Sequence, residues 1–506
     1  MGVRSRPGTD SMALEWGTTF HDGGTSMDGK ALPTFGNWQA VEVLVGGAQA
    51  FAYRAVDVRS VGRNVFIKWF VGDLPEERFT REVEALTRIE RHIGLPQIRD
   101  QGKRDGHPWI AMEFEEGVNL AVFSSLNSEL SASTWLRIAI YLTGALRNAH
   151  EAGILHRDIK PANIMIDEAD RTTLVDFGLA VIDDRHSQTN HGDFLGTLAF
   201  IAPEGLQEAL TLTDKSDVFS LAATLIYLAY GGMPPAVRAL GPLANEGWGE
   251  AANALPDAWM RDVLWEAIAT DPTSRPTAEK LLKRIFDIPH ESVAALGGIT
   301  AAQARRVGST IADFAQDRAD WRRVRDWLLF AHEMGDPAGA DYLARIVESQ
   351  DGVEASLPYW RHYATQRPVI GNLMLYRAIR ENPSTTTSEL DDAKALLHQA
   401  GEDGGYTSGQ RTLGYEFLAL GDYSNALRAF GPLGGADYHA AALCRHRLGL
   451  PSTTAPTLPP MGRWMAWTSM ARVCKKMGRN NDAEWLEAQA REQRRLPDEG
   501  RAPVRT

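Results

Sequence analysis

The chain has 506 residues, 44% hydrophobic and 23% charged, a balance that excludes a disordered or fibrous protein and asks for two or more folded units. A net charge of -12 excludes nucleic-acid binding through a broadly basic surface, and the two cysteines, Cys444 and Cys474, exclude a disulfide framework or a cysteine-rich zinc site. The N-terminus lacks an apolar core of signal-peptide length, Arg6 stands where a myristoylation signal wants Ser or Thr, and the longest apolar run, Phe219–Met233, falls short of the roughly 20 residues of a membrane span, so a cytoplasmic protein without membrane contact is expected.

In chain order, residues 1–37 are rich in Gly, Ser, Thr and Asp and read as a flexible leader, with one short ordered piece near Leu14–Phe20. From Trp38 to about Met112, short apolar runs alternate with turns (WQAVEVLV, FAYRAVDV, NVFIKWF, HPWIAMEF), the signature of strands. One helical segment, Glu76–Arg91, interrupts them, with Phe79, Val83, Leu86 and Ile89 on one face. Helical patterns dominate from about Ser131 to Asp287. Beyond a Pro-and-Gly boundary near Pro289–Ile299 the pattern is wholly helical to about Arg495, broken at Pro451–Pro460. Leu496–Thr506 reads as a disordered tail.

The strongest chemical signal is Ile154–Ile166, ILHRDIKPANIMI. Phosphoryl transfer needs a hydroxyl held in line and cations that neutralise the charge spread over the phosphates. Asp158 can accept the hydroxyl proton, Lys160 can sit against the transferred phosphate, and Asn163 can offer an amide oxygen to magnesium, a hard ion that wants oxygen ligands. Asp176, in VDFG, would be the main magnesium ligand. Lys68 lies on a strand facing the nucleotide, and Glu82 on the amphipathic helix is its expected ion-pair partner. GTLAFIAPE, Gly196–Glu204, closes the series.

At these residues the chain resembles the eukaryotic-type (Hanks-type) serine/threonine protein kinases, bacterial style, over about Trp38–Asp287. The motifs stand in the family order: glycine-rich loop, strand lysine, helix glutamate, HRDxKxxN, DFG and APE. The resemblance implies an α+β bilobal protein kinase fold with an N-lobe at about 38–115 and a C-lobe at about 116–290, dependent on ATP and on Mg2+, with Mn2+ as a substitute. It further implies that Asp217 orients the catalytic loop from the start of a buried helix, that Arg275 pairs with Glu204, and that Met112 is the gatekeeper, followed by the hinge residues Glu113 and Phe114. Lys160 and Thr197 match the pattern of kinases acting on serine or threonine of protein substrates. Arg157 would receive a phosphate on the activation segment, where Ser187 and Thr189 are the candidate sites and Thr197 is structural; a loop ordered without phosphate is the alternative.

The chain departs from the family pattern on the nucleotide-covering side. Val45, Gly47, Ala50 and Ala52 occupy the G-x-G-x-x-G-x-V positions, with Gly46 as a spare glycine; missing glycines put side chains where backbone amides approach phosphate. Ala52 and Phe66 stand where the family has Val and Ala. The two face the same side of adenine, so bulk is exchanged between adjacent strands above a floor made by Met165. An impaired pocket, and with it a pseudokinase scaffold, is the alternative reading.

In the second half, Leu413–Leu433 carries Gly414, Phe417, Gly421, Tyr423, Ala426 and Phe430 at tetratricopeptide-like positions, with weaker echoes at Leu329–Ile346 and Ala471–Ala490. The resemblance implies an all-α helical-repeat domain over 313–495, joined by a linker at 291–312 and recruiting a protein partner or substrate. Packing on the kinase lobes is the alternative role. Its tryptophans, Trp321, Trp327, Trp360, Trp464, Trp467 and Trp485, are expected in the core. The sequence names neither partner, pathway nor oligomeric state.

Overall fold

A computed structural model describes residues 32–46, 50–59, 63–72, 79–80, 83–84, 87, 92–127, 130–177, 198–206, 212–240, 247–295, 299–336, 338–402, 407–430, 438–451 and 460–495. The chain divides into two compact units, 1–331 and 332–506.

The first unit opens on a six-stranded antiparallel sheet in the order β1 (Thr34–Phe35), β2 (Trp38–Gly46), β3 (Ala50–Asp57), β4 (Asn64–Phe70), β6 (His107–Glu113) and β5 (Ile98–Arg104). Period-two alternation sorts the side chains to two faces. Tyr53, Ala55, Val65, Ile67, Trp109 and Ala111 bury on the outer face with Phe35 and Trp38. Ala52, Phe66, Lys68, Ile110 and Met112 share the inner face, as the register Ala52–Lys68, Phe66–Met112 and Lys68–Ile110 requires. The polar run IRDQGKR gave no strand signal, yet it forms β5. Trp109 lies across Gly102, where an added Cβ would come within 2.7 Å of the indole, and Trp38 Nε1 donates to Asp100 at 2.9 Å. Of the expected Glu76–Arg91 helix, the described positions 79–80, 83–84 and 87 are helical, with Phe79 and Val83 buried against Phe70 and Met112.

The rest of this unit is mainly helical. The helix Ala132–Glu151 starts at Ser131, whose Oγ accepts from Thr134 N, and is buried along most of its length. The helix Asp214–Ala229 starts with a Thr213–Ser216 capping box and buries Phe219, Leu221, Leu225 and Ile226. This accounts for the longest apolar run as a core helix, and no helix among the described residues is long and apolar enough to cross a membrane. Between these helices lies a small sheet, β7 (Val118–Asn119), β8 (Ile164–Ile166) and β9 (Thr172–Leu174).

The boundary differs from the sequence expectation. Residues 301–314, within and just beyond the expected linker, form a helix docked on Ala132–Glu151. The compact unit continues to residue 331 instead of ending at 290. The sequence signal was the Pro-and-Gly run, which marks a turn but not a change of unit.

Among the described residues the regular structure of the second unit is all helical. The helices Ala340–Asp351, Val353–Gln366, Pro368–Glu381 and Thr387–Glu402 each pack on their sequence neighbours, as do Thr407–Leu420, Tyr423–Phe430 and Tyr438–Arg447, and then Pro460–Lys476 with Asn480–Arg495. Gly414 lies against Phe430, where a Cβ would meet the ring at 2.6 Å, and Gly421 turns between their helices at φ +78°. Trp360 and Trp467 are buried here, as is Trp327 in the first unit. Asp482, almost wholly buried, accepts from Tyr423 Oη at 2.8 Å, Arg447 Nε at 2.6 Å and Arg479 Nε at 3.1 Å, joining three helices. Cys444 and Cys474 are free and buried, and burial pushes their thiols up to about 12 and about 11, which makes them inert.

Candidate active site

The catalytic loop leaves the helix Ala132–Glu151 through Gly153 at φ +75°. Asp217, at the first turn of the next long helix, accepts from His156 N and Arg157 N at 2.8 Å each, and its Oδ2 lies 3.0 Å from His150 Nε2. Arg157 is held at φ +67°, a conformation that costs a non-glycine residue about 1–3 kcal/mol, and the two bonds from Asp217 over-determine it.

His156 is fully buried. Its Nε2 lies 3.1 Å from Val175 O, Asp158 N points at its Nδ1 at 3.3 Å, and its ring packs 4.5 Å from Phe177. These partners assign the proton to Nε2. Burial pushes the imidazole below its ordinary pKa against the pull of Asp217, Asp158 and Asp176, so it stays neutral. One histidine thereby joins the catalytic loop to the strand end that presents Asp176.

Asp158, Lys160 and Asn163 converge. Asp158 Oδ2 lies 3.0 Å from Lys160 Nζ and accepts from Asn163 Nδ2 at 2.7 Å, and the same Nδ2 donates to Asp158 O at 2.8 Å. Val175 N donates to Asn163 O at 2.9 Å, so the hairpin β8–β9 holds Asn163 and Asp176 at its two ends. Asp176 stands at φ +62° and accepts from Lys68 Nζ, a partner 108 residues earlier in the chain. Burial raises the Asp176 carboxyl, and the Lys68 ammonium outweighs that and holds it below the usual range. Glu82, the expected partner of Lys68, lies outside the described residues, as do Gly47, Ser187, Thr189 and Thr197.

On the covering side, Gly46 ends β2 opposite Phe51, and Ala52 is buried. Phe66 is half-buried, opposite Met112 in register, and packs with Phe70, Phe79 and Ile110. Glu113 N donates to Gln97 O at 2.8 Å, and the Arg54 guanidinium lies 5.9 Å from the Phe114 ring centroid. Met165 sits mid-strand in β8 between Asn119 and Thr173. Glu115 accepts from Thr173 Oγ1 at 3.2 Å, and burial raises its carboxyl above the ordinary range.

Below the cleft, Arg275 donates to both oxygens of Glu204, at 2.7 and 2.9 Å, and to Ala269, Thr270 and Lys215 carbonyls. Ser216 Oγ adds a bond to Glu204 at 2.7 Å. Burial raises this carboxyl, but Arg275 and Ser216 outweigh it and keep it below its ordinary pKa. The sequence reading missed the parts of His156, His150 and Ser216. Ser216 was findable as the fourth residue of the capping box begun by Thr213. The histidines' partners come from distant segments.

Comparison with known proteins agrees with this geometry. Residues 46–286 match the family described as protein kinase domain. The serine/threonine-protein kinase PrkC of Bacillus subtilis (strain 168) is 32% identical over 272 residues, 50% of this chain and 41% of that protein. The serine/threonine-protein kinase AfsK of Streptomyces coelicolor is 30% identical over 266 residues, 50% and 32% of the two chains. The DNA damage-responsive serine/threonine-protein kinase RqkA of Deinococcus radiodurans is 30% identical over 277 residues, 50% and 39% of the two chains. The chain thus spans less than half the length of each of these relatives. Residues 46–286 are a protein kinase domain of the Hanks type, followed by an all-α region.

Proposed function

We propose that the chain is an ATP- and Mg2+-dependent protein kinase that phosphorylates serine or threonine on protein substrates. The observation that carries this reading is the convergence of Lys160 and Asn163 on the Asp158 carboxylate, on a loop that His156 and Val175 tie to the Lys68–Asp176 pair. Asp158 accepts the proton of the attacking hydroxyl, and Lys160 supplies a cation beside it. Lys68 offers its ammonium to the nucleotide phosphates, with Glu82 as its helix partner.

The donor set suits a magnesium ion. Asn163 spends its Nδ2 on Asp158, which leaves its amide oxygen as the acceptor, and Asp176 is kept ionised by Lys68; both offer hard oxygen ligands. When bound, the ion supplies charge neutralisation on the phosphates. Gly46, Gly47, Ala52, Phe66, Met112, Glu113, Phe114 and Met165 cover and floor the nucleotide, the hinge backbone bonding adenine. Intact Glu204 and Arg275 support a segment that receives a protein substrate, with autophosphorylation at Ser187 or Thr189 and Arg157 as the phosphate receiver. The helical region of the second unit, within 332–495, recruits a protein partner or substrate.

The test is transfer of radiolabel from ATP to a generic protein substrate and to small alcohols, with Mg2+ or Mn2+. Label is expected on serine and threonine of the protein and is lost in Asp158→Ala. No transfer, together with no thermal shift at millimolar Mg-ATP, would favour a scaffold. Intact mass of fresh wild type against Asp158→Ala reads autophosphorylation, and capture on full-length Asp158→Ala reads the partner.

A further inference from the structure

The hairpin that presents Asn163 and Asp176 has strands of only three residues each, β8 and β9. Its turn, Asp167–Arg171, holds Asp170 at φ +57° and is closed internally by Asp167, whose Oδ1 accepts from Ala169 N and Arg171 N at 2.9 Å each. Arg137 ties this turn to the rest of the fold: from the helix Ala132–Glu151, Nη1 donates to Asp170 Oδ2 at 2.8 Å and Nη2 to Ala169 O at 2.7 Å. Arg137 is only 6% exposed, and its Nε donates to Thr310 Oγ1 at 3.3 Å. Thr310 is 2% exposed and belongs to the helix Ala301–Phe314, beyond residue 286 where the family match ends.

The C-terminal end of that helix is anchored on the helix Ala132–Glu151. Tyr141 Oη donates to Asp313 at 3.2 Å, and Arg147 Nη1 donates to Phe314 O at 3.2 Å. The Phe314 ring fills the space over Gly144, where a Cβ would come within 2.3 Å of it. Just after it, Lys283 Nζ bonds Asp317 at 2.9 Å and the buried Asp320 at 2.5 Å. A guanidinium is planar, so fixing Nε fixes the direction of both Nη donors. Without Thr310, a buried N–H loses its partner and the fork keeps only its two bonds to the turn, with nothing on the far side to fix their direction.

We propose that the helix Ala301–Phe314 is a strut of the catalytic hairpin, and that Thr310, through Arg137, is a positioning residue for Asn163 and Asp176. The metal-ligand part of this rests on the kinase reading above; the strut does not. The test compares full-length Thr310→Val, which keeps the shape and removes the acceptor, with Thr310→Ser, which keeps the hydroxyl. Amide hydrogen exchange without nucleotide is expected to rise about fivefold across 164–174 in Thr310→Val, with Thr310→Ser near wild type. The Mg2+ half-saturation of phosphotransfer is expected to rise about fivefold in Thr310→Val, with the ATP KM at saturating Mg2+ unchanged.

Unchanged exchange at 164–174, or a rise spread evenly over the whole first unit that Ser does not rescue, would overturn the strut. Faster exchange there with wild-type Mg2+ dependence would overturn the positioning role. Absence of phosphotransfer from the wild type would sink the kinase reading, and the exchange measurement would still decide the strut.

Discussion

The two sides of the cleft are built on different physics. The floor is a polar network in which the described candidate groups hold one another: Asp217 on the His156 and Arg157 amides, His156 on Val175, Asn163 on Asp158, and Lys68 on Asp176. The roof is a hydrophobic sheet face, Ala52, Phe66, Ile110 and Met112, set by strand register and side-chain volume. Polar networks in a low-dielectric setting fail sharply when one member goes, because the remaining groups are left buried and unpaired. Apolar faces tolerate exchange when volume is roughly kept. The difference teaches why substitutions can accumulate at Val45, Ala50, Ala52 and Phe66 while the floor stays intact.

Variants can break or sharpen that contrast. The largest effect is expected from Asp158→Asn, which keeps the size and removes the proposed base; turnover should fall about 10²–10⁴-fold with the melting temperature little changed, read by initial rates and calorimetry. Asp217→Ala touches no reacting atom, yet it frees the strained Arg157 backbone. A loss of about 10²-fold in turnover is expected from the displaced loop, and a loss under twofold would show that the floor is not a single unit.

Arg275→Met leaves Glu204 buried without its cation, at a cost of about 3–5 kcal/mol in denaturant melts. The pH dependence has a definite sign. Glu204 has a folded pKa below its ordinary 4.5, so the stability it contributes is complete above about pH 4.5 and drains as pH falls through the folded value. Arg275→Met should flatten that part of the acid limb, and an unchanged limb would remove the pair from the account.

Roof changes should be milder. Phe66→Ala is expected to tighten ATP binding about three- to tenfold by relieving crowding above the base, as read by a nucleotide titration. Weaker binding would mean that the ring is a stacking surface instead. Ala50→Gly is the smallest, within about 1 kcal/mol in stability. If either matched Asp158→Asn in its effect on turnover, the contrast between floor and roof would be broken.

Much of this site was legible before any coordinates. Asp158, Lys160 and Asn163 lie within six residues, so the local chain carries their spacing, and the structure brings all three together. The strands β2, β3, β4 and β6 followed from short apolar runs between turns, and the core helix at Phe219 from the family resemblance around Asp217. β5 escaped because its residues are polar and it gains strand character from Trp109 lying on Gly102. The helix Ala301–Phe314 escaped as a part of the first unit because a turn-forming run precedes it, and nothing local says which surface a helix after a turn will choose.

The sequence by itself determined the order of the chemical groups, the two classes of architecture and the unusual composition of the roof, because these depend on residue identity and short-range period. Only the tertiary structure decided that Lys68 meets Asp176 across 108 residues, that one neutral histidine couples the catalytic loop to the Asp176 strand, and that residues 301–331 belong with the first unit. Those pairings are chosen by burial and by the need to satisfy buried polar groups, and both are properties of the packed chain as a whole.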